Sequence, residues 1–203
     1  MQESYHSLNG AVQESMHVFI ESGLKRVIKT HIRVLEIGFG TGLNALLTWQ
    51  NSVTHKQAVS YDTLEAFPVS PDLLSDLKYT ISPSDLPNDA FEQIHLAPWG
   101  VAFELEPNCF ILKKIQTDFT TYQFENRYDL MYMDAFAPDK QSEMWDECQL
   151  AKLYGAMEDW GILVTYCAKG EIRRRLQRVG FHVERIPGPP GKREMLRAQK
   201  LPI

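Results

Sequence analysis

Four acidic residues, Glu36, Glu65, Asp118 and Asp134, each stand at or just after the end of a short apolar run. A carboxylate accepts hydrogen bonds from hydroxyl and ammonium groups and can take up a proton. The first belongs to Val34-Leu35-Glu36-Ile37-Gly38-Phe39-Gly40-Thr41-Gly42-Leu43-Asn44, where three glycines alternate with larger residues. Glycine has no Cβ and accepts positive φ, so a ligand can lie against bare backbone there. The spacing is not that of the dinucleotide fingerprint G-x-G-x-x-G, whose helix N-terminus receives a pyrophosphate. Leu43 stands where the third glycine of that fingerprint belongs, and Glu36 would repel a phosphate. A ligand with an ammonium, a sulfonium and a ribose but no phosphate suits the loop better. S-adenosyl-L-methionine is such a ligand, preferred here over a nicotinamide dinucleotide. Its candidate contacts are Glu36, Gly38, Phe39, Gly40, Thr41, Gly42 and Asn44.

Glu65 stands where the acid that holds ribose hydroxyls is found in this kind of strand–loop–helix arrangement. Asp118 and Phe119 are candidates for the adenine, one for its amino group and one for its face. Asp134, in Asp134-Ala135-Phe136-Ala137-Pro138, would then lie where a methyl group leaves sulfur. Transfer of a methyl group to an amine needs a free nitrogen lone pair held in line, so positioning supplies most of the gain. Asp134 is the candidate to hold the amine and accept its proton, and it is counted among the donor contacts as well. Phe136, Pro138, Lys140, Trp145, Lys169, Lys192 and Arg193 are the candidate acceptor-side residues. Each acid also has a plain reading as a turn or cap residue. Four acids on one rim argue for a site.

The elements that must position these residues follow from periodicity. Helical spacing of Val12, Met16, Phe19, Ile20, Leu24, Val27 and Ile28 predicts a helical leader within residues 1–30. Core strands are expected at 32–37, 58–65, 109–115, 128–133 and 161–166, and a closing pair at 181–186 and 194–198. Helices are expected to start at 43, at 71–77, 144–157 and 171–179. Residues 82–108 hold Pro83, Pro87, Pro98 and Pro107, which predicts an irregular insertion. Strands alternating with helices imply one α/β domain over 1–203, a doubly wound, mostly parallel seven-stranded sheet. The tight turn between the last two strands makes one edge strand antiparallel. Ligands of such sheets lie beyond the C-terminal strand ends, where all four acids fall.

Composition narrows the class. The chain has 203 residues, 44% of them hydrophobic, enough for one core. No apolar run approaches membrane-spanning length, and no signal pattern opens the chain. Cys109, Cys148 and Cys167 are scattered, without metal-type spacing, and point to a reducing cytoplasm. Net charge is −5, unevenly spread: residues 169–203 carry 10 Lys and Arg against 3 Asp and Glu, the rest 11 against 23. A basic segment on an acidic body can hold a polyanion, and stretches 173–178 and 192–197 are the candidate phosphate surface.

Several blocks are familiar. Ser7-Leu8-Asn9-Gly10-Ala11-Val12-Gln13-Glu14-Ser15-Met16, the glycine loop through Asn44, Leu64-Glu65-Ala66-Phe67-Pro68, Asp134-Ala135-Phe136-Ala137-Pro138-Asp139-Lys140 and Gly191-Lys192-Arg193-Glu194-Met195-Leu196 occur in this order. Together they resemble the MnmC-like tRNA methyltransferases over nearly the whole chain. The resemblance implies a class I (Rossmann-like) methyltransferase fold. It implies N-methylation of the 5-aminomethyl group of the wobble (2-thio)uridine in the anticodon region of tRNA, with S-adenosyl-L-methionine as donor. It also implies a methyltransferase domain without the FAD-dependent oxidase of two-domain members, its aminomethyl substrate supplied by a separate enzyme. Asp139 departs from the family's usual alanine. The alternative is a small-molecule amine N-methyltransferase with the same donor site.

Overall fold

The apolar runs become eight strands of one sheet. The computed structural model describes residues 10–75 and 86–202. The strands are β1 (His31–Ile37), β2 (Ala58–Glu65), β3 (Ala102–Glu106), β4 (Phe110–Gln116), β5 (Tyr128–Met133), β6 (Met157–Thr165), β7 (His182–Pro187) and β8 (Glu194–Gln199). Their order is β3-β4-β2-β1-β5-β6-β8-β7. Strands β4, β2, β1, β5 and β6 run parallel. Every residue of β5 is buried, as expected for a parallel strand covered on both faces.

Helix α1 (Leu43–His55) follows β1 and α2 (Pro71–Ser75) follows β2. Helix α3 (Ala90–Leu96) precedes β3, α4 (Glu147–Gly155) precedes β6, and α5 (Gly170–Arg178) precedes β7. One apolar cluster joins the leader, α1 and α3 to one face of the sheet through Phe19, Trp49, Tyr61 and Phe110. The other joins α4 and α5 to the opposite face through Leu150, Leu153, Ile172 and Leu176.

Four expectations are corrected. The sheet has eight strands, not seven, because the proline-rich stretch 82–108 contains α3 and β3; residues 82–85 lie outside the described residues. Pro87, Pro98 and Pro107 fall outside these elements, where they break nothing. The antiparallel strand of the closing pair is β8, and it does not lie at the edge. It inserts between β6 and β7, so β7 takes the edge. The predicted helix at 144–157 is a 3-10 turn (Ser142–Trp145), a break at Asp146 in extended conformation, and α4, after which Met157 already opens β6. The leader is helical from residue 10 and passes into a π-helix (Met16–Glu21). It is followed by Gly23, where a Cβ would stand 2.6 Å from the Phe19 carbonyl oxygen and only glycine fits, and Ile28, expected to be inward, is 98% exposed. Ser7, Leu8, Asn9 and residues 76–77 lie outside the described residues.

Strand register brings the acids together. Ile37 pairs with Leu64 on one side and Met133 on the other, so β1, β2 and β5 end level. Gly38, Glu65 and Asp134 thus leave the sheet side by side. The chain winds from β1 to β2 in one direction and later from β5 to β6 in the other, which makes the β1/β5 gap the topological switch.

Candidate active site

A cleft of about 650 Å³ opens over these strand ends. Gly38, Gly40, Glu65, Asp118, Phe119, Asp134 and Phe136 line it. The backbone turns at Gly38 (φ 95°) and Gly40 (φ 51°) are left-handed, which favours glycine. A Cβ at Gly38 would stand 3.0 Å from the Asp134 carbonyl oxygen, so the first glycine is also what lets the loops after β1 and β5 meet. The Asp134 N–H donates to the Ile37 carbonyl at 3.1 Å and closes that contact.

Glu65 ties two loops together. Its Oε2 accepts from the Gly40 N–H at 3.0 Å and its Oε1 from the Phe67 N–H at 2.9 Å. Each oxygen keeps acceptor capacity for a hydroxyl. Asp118 Oδ1 accepts from the N–H and the hydroxyl of Thr120, both at 2.7 Å. Phe119 beside it is buried and walls the cleft.

Beneath the cleft, one amide joins two carboxylates. Asn44 Nδ2 donates to Glu36 Oε1 and to Asp134 Oδ2, both at 2.9 Å. Glu36 also accepts from the Thr63 hydroxyl at 2.8 Å and is fully buried. Burial, with Asp134 nearby, raises the Glu36 pKa to about 8, so Glu36 holds a proton at neutral pH. Burial also raises Asp134, to about 7; the Asn44 hydrogen bond works against the shift and Glu14 adds to it. Asp134 therefore ionises near neutrality, which suits an acceptor of protons at physiological pH.

The other donor-loop candidates separate. Phe39 is buried and points away from the cleft. Its ring packs on His95 and Trp99, with Lys114 Nζ 5.6 Å from its centre. Thr41 offers its carbonyl to the His95 ring at 3.2 Å. Gly42 (φ 73°) caps α1, and a Cβ there would stand 2.8 Å from Ile94 Cδ1 and 3.0 Å from the Phe39 ring. Glu36, Phe39 and Gly42 thus shape the loop from below and do not line the cleft.

On the acceptor side, Phe136 is 70% exposed at the cleft mouth. Trp145, a candidate for the acceptor side but by residue type more often a core side chain, is buried, and its indole N–H donates to the Phe136 carbonyl at 2.9 Å. Its neighbour Met144 lines the cleft. Pro138 and the exposed Lys140 stand outside the lining, while Lys169 pairs with Asp139. Lys192 pairs with Glu14 and sits 4.5 Å over the Tyr166 ring; Arg193 is exposed. Tyr166, Phe67, Gln141 and Glu143 also line the cleft and were not anticipated. The signal for Tyr166 lay in the strand boundary: β6 ends at Thr165, which leaves Tyr166 on the rim, its hydroxyl donating to the Ala135 carbonyl at 2.8 Å. Phe67, 82% exposed, follows Glu65 in the same turn.

A family model described as S-adenosyl-L-methionine-dependent methyltransferase matches residues 95–201. The chain belongs to this family. Similar curated proteins are the tRNA 5-methylaminomethyl-2-thiouridine biosynthesis bifunctional proteins MnmC of Idiomarina loihiensis, 29% identical over 95% of this chain, and of Paracidovorax citrulli, 30% identical over 97%. The chain spans 34% and 32% of their lengths, about a third. Among solved structures, MNMC2 from Aquifex aeolicus superimposes with a TM-score of 0.74 at 23% identity, covering 95% of this chain and 62% of that one. DesVI of Streptomyces venezuelae gives 0.54 at 12% identity over 95% of this chain and 92% of its own. At these identities the structures establish the class I methyltransferase fold.

The donor is S-adenosyl-L-methionine, and the cleft fits it. Its volume suits a nucleoside-sized ligand. Left-handed glycines bare the backbone at Gly38 and Gly40, and carboxylates rather than cations stand at the strand ends. Among the described residues no His, Cys, Asp and Glu group is placed to hold a metal ion, and no helix is long and apolar enough to cross a membrane.

Proposed function

We propose that this domain N-methylates the 5-aminomethyl group of the wobble (2-thio)uridine of tRNA, giving 5-methylaminomethyl-(2-thio)uridine. The observation that carries this reading is the end-to-end match to MnmC proteins, over 95–97% of the chain, combined with a proton-accepting carboxylate beside the donor cleft. Relatives named for tRNA 5-methylaminomethyl-2-thiouridine biosynthesis supply the substrate class. The chain's own residues supply the means.

Gly38, Gly40 and Glu65 would hold the donor's backbone-facing side and ribose, with Asp118 and Phe119 at its base. S-adenosyl-L-methionine supplies an electrophilic methyl group on sulfur. Asp134 Oδ would accept a hydrogen bond from the acceptor amine and then its proton, directly or through water. Asn44, donating to Asp134 Oδ2, leaves the carboxylate one orientation and keeps Oδ1 for the amine. Phe136 and Phe67 are exposed rings at the cleft mouth, and a uridine swung out of the anticodon can stack on such a surface. The aminomethyl group would be made before this step, by chemistry other than methyl transfer.

A small aliphatic amine could reach the same carboxylate. The exposed rings favour a base over such an acceptor, since a closed pocket would serve a small amine better. The deciding experiment incubates the protein with labelled S-adenosyl-L-methionine and tRNA from cells lacking this methylation, then digests the tRNA to nucleosides for mass spectrometry. Label in 5-methylaminomethyl-(2-thio)uridine is expected. Label only in free amines, with none in tRNA, sinks the reading.

A further inference from the structure

Several cations of the basic C-terminal segment are held by carboxylates. Arg175 bonds to Asp146 at 3.2 Å and to Glu171 at 2.5 Å, Arg178 to Glu147, and Arg197 to Glu184 at 2.9 Å. These guanidiniums pin α5 to α4 and β8 to β7. Arg174 and Arg185 differ. Both are exposed, and both converge on Gly170, the first residue of α5. A Cβ on Gly170 would stand 3.4 Å from Arg174 Nη1 and 3.7 Å from Arg185 Nη2.

Two guanidiniums over one patch of backbone repel each other unless an anion lies between them. Among the described residues Arg174 forms no ion pair, and the carboxylate nearest Arg185 is Glu194 at a loose 3.5 Å. Lys169, the residue before Gly170, adds a third cation, paired with Asp139. Asp139 and Glu194 are therefore the carboxylates an incoming anion displaces; Glu171, in the same turn, is already engaged by Arg175.

Gly170 leaves the space beside the two guanidiniums free. Its φ is not positive, so the backbone does not require glycine there. Alanine would favour the helix more. Apart from its chain neighbours and its own helix, that Cβ would meet nothing within 4 Å except the two guanidinium ends. At these distances a methyl group would make ordinary contact with the two guanidinium ends, whereas a branched side chain would crowd the space between them. Planar guanidiniums match phosphate oxygens in pairs, more specifically than lysines do. The gap also adjoins the acceptor side: Tyr166, four residues before Gly170, lines the cleft, and Lys169 reaches the loop that begins at Asp134.

We propose that Arg174 and Arg185, facing each other across Gly170, form a subsite for one RNA backbone phosphate beside the nucleotide in the cleft. The subsite rests on the tRNA reading above and assigns that substrate its anchoring phosphate.

The test titrates a fluorescent anticodon stem–loop RNA against the wild-type protein and Arg174→Gln, Arg185→Gln, Gly170→Val and Arg178→Gln, at several salt concentrations. Methylation of full-length tRNA is measured in parallel. Each of the first three variants should weaken RNA binding by about fivefold to tenfold and lower the slope of log K against log salt by about one. The dissociation constant for S-adenosyl-L-methionine should not change. Arg178→Gln, whose guanidinium is held by Glu147, should bind RNA as the wild type does. If tRNA is methylated but Arg174→Gln and Arg185→Gln bind RNA normally, the subsite is wrong and the tRNA reading stands. Equal weakening in Arg178→Gln would show a diffuse basic field and also overturn the subsite. A wild-type protein that neither binds nor methylates tRNA overturns both.

Discussion

Asp134 is an ordinary carboxylate in an unusual setting. Burial lifts its pKa to about 7, and the Asn44 amide ties it to a second carboxylate, Glu36, lifted to about 8. Two consequences follow from the order of these values. A protonated Asp134 cannot take the amine's proton, so kcat/KM should fall on the acid side with a midpoint near pH 7. Asp134→Ala should lose on the order of 10²–10⁴ in kcat while its S-adenosyl-L-methionine affinity stays within a few-fold. Near-normal turnover in that variant would remove Asp134 from the chemistry. For Glu36 the readout is stability. Its folded pKa lies above its unfolded value of 4.5, so the native state holds a proton that the unfolded chain has lost. Its contribution is therefore present at low pH and declines as pH rises from about 4.5 through about 8. Glu36→Gln has no such proton to lose. Its melting temperature should drop less than the wild type's between pH 6.5 and 8; parallel curves would show that Glu36 is ionised in the fold. At this scale the sequence was legible wherever a side chain's place follows from its strand end, as with Glu65, Asp118 and Asp134. It was not legible where a ring chooses between two sides of a loop. Phe39 turns inward because Trp99, His95 and Lys114 wait there, and the first two come from the stretch 82–108, more than 50 residues away.

That segment is the element most misjudged from its prolines. Helix α3 and strand β3 cover the edge of β4 and support the glycine loop from outside. Lys114 on β4 is the joint. It is buried, pairs with no carboxylate among the described residues, donates to the His95 carbonyl at 2.7 Å and lies 4.9 Å from the Trp99 ring centre. Burial lowers its pKa to about 8, so the ammonium is held at a cost. Gly42 is the loop's side of the same joint. With φ at 73° and Ile94 Cδ1 and the Phe39 ring already in the way, Gly42→Ala should destabilise the fold by about 1–3 kcal/mol and weaken the donor with it. An unchanged denaturation midpoint would mean that α3 yields freely. Replacing Lys114 by methionine, of similar volume and no charge, removes the cost of burying the cation but leaves the His95 carbonyl without its donor, so the two effects should offset to within about 1.5 kcal/mol in chemical denaturation. Alternation and helical spacing predicted most core elements because burial on one face or both leaves a period in the sequence. They missed α3 and β3 because seven and five residues are too short for a period to stand out among four prolines. They also ran a helix through Asp146, where a cap rather than a turn of helix was needed.

For the whole molecule, charge and topology work together. The parallel strands gather carboxylates at one end of the sheet, which suits a donor with an ammonium and a sulfonium but opposes a polyanion. The last 35 residues bring the compensating cations to the same end: Lys169 and Arg174 follow β6, while Arg185 and Lys192 lie on the β7–β8 hairpin. The sequence announced this division of charge. It could not announce which cations stay available, since that depends on Asp146, just before α4, and Glu147, its first residue, reaching Arg175 and Arg178. If the acceptor is tRNA, as proposed above, such an arrangement should separate the two substrates by their response to salt. Counterion release makes RNA binding fall steeply as salt rises, whereas a donor held by glycine backbone and partly buried carboxylates is screened little. Between 50 and 300 mM salt the KM for tRNA should therefore rise at least tenfold while that for S-adenosyl-L-methionine changes less than twofold. With free 5-aminomethyluridine as acceptor, which carries the amine but no phosphate, the salt dependence should vanish and kcat/KM should be low at every ionic strength. A salt-independent KM for tRNA, or a free nucleoside that is methylated as well as tRNA, would mean that the basic face has no part in recognition and that the acceptor is read by the cleft alone.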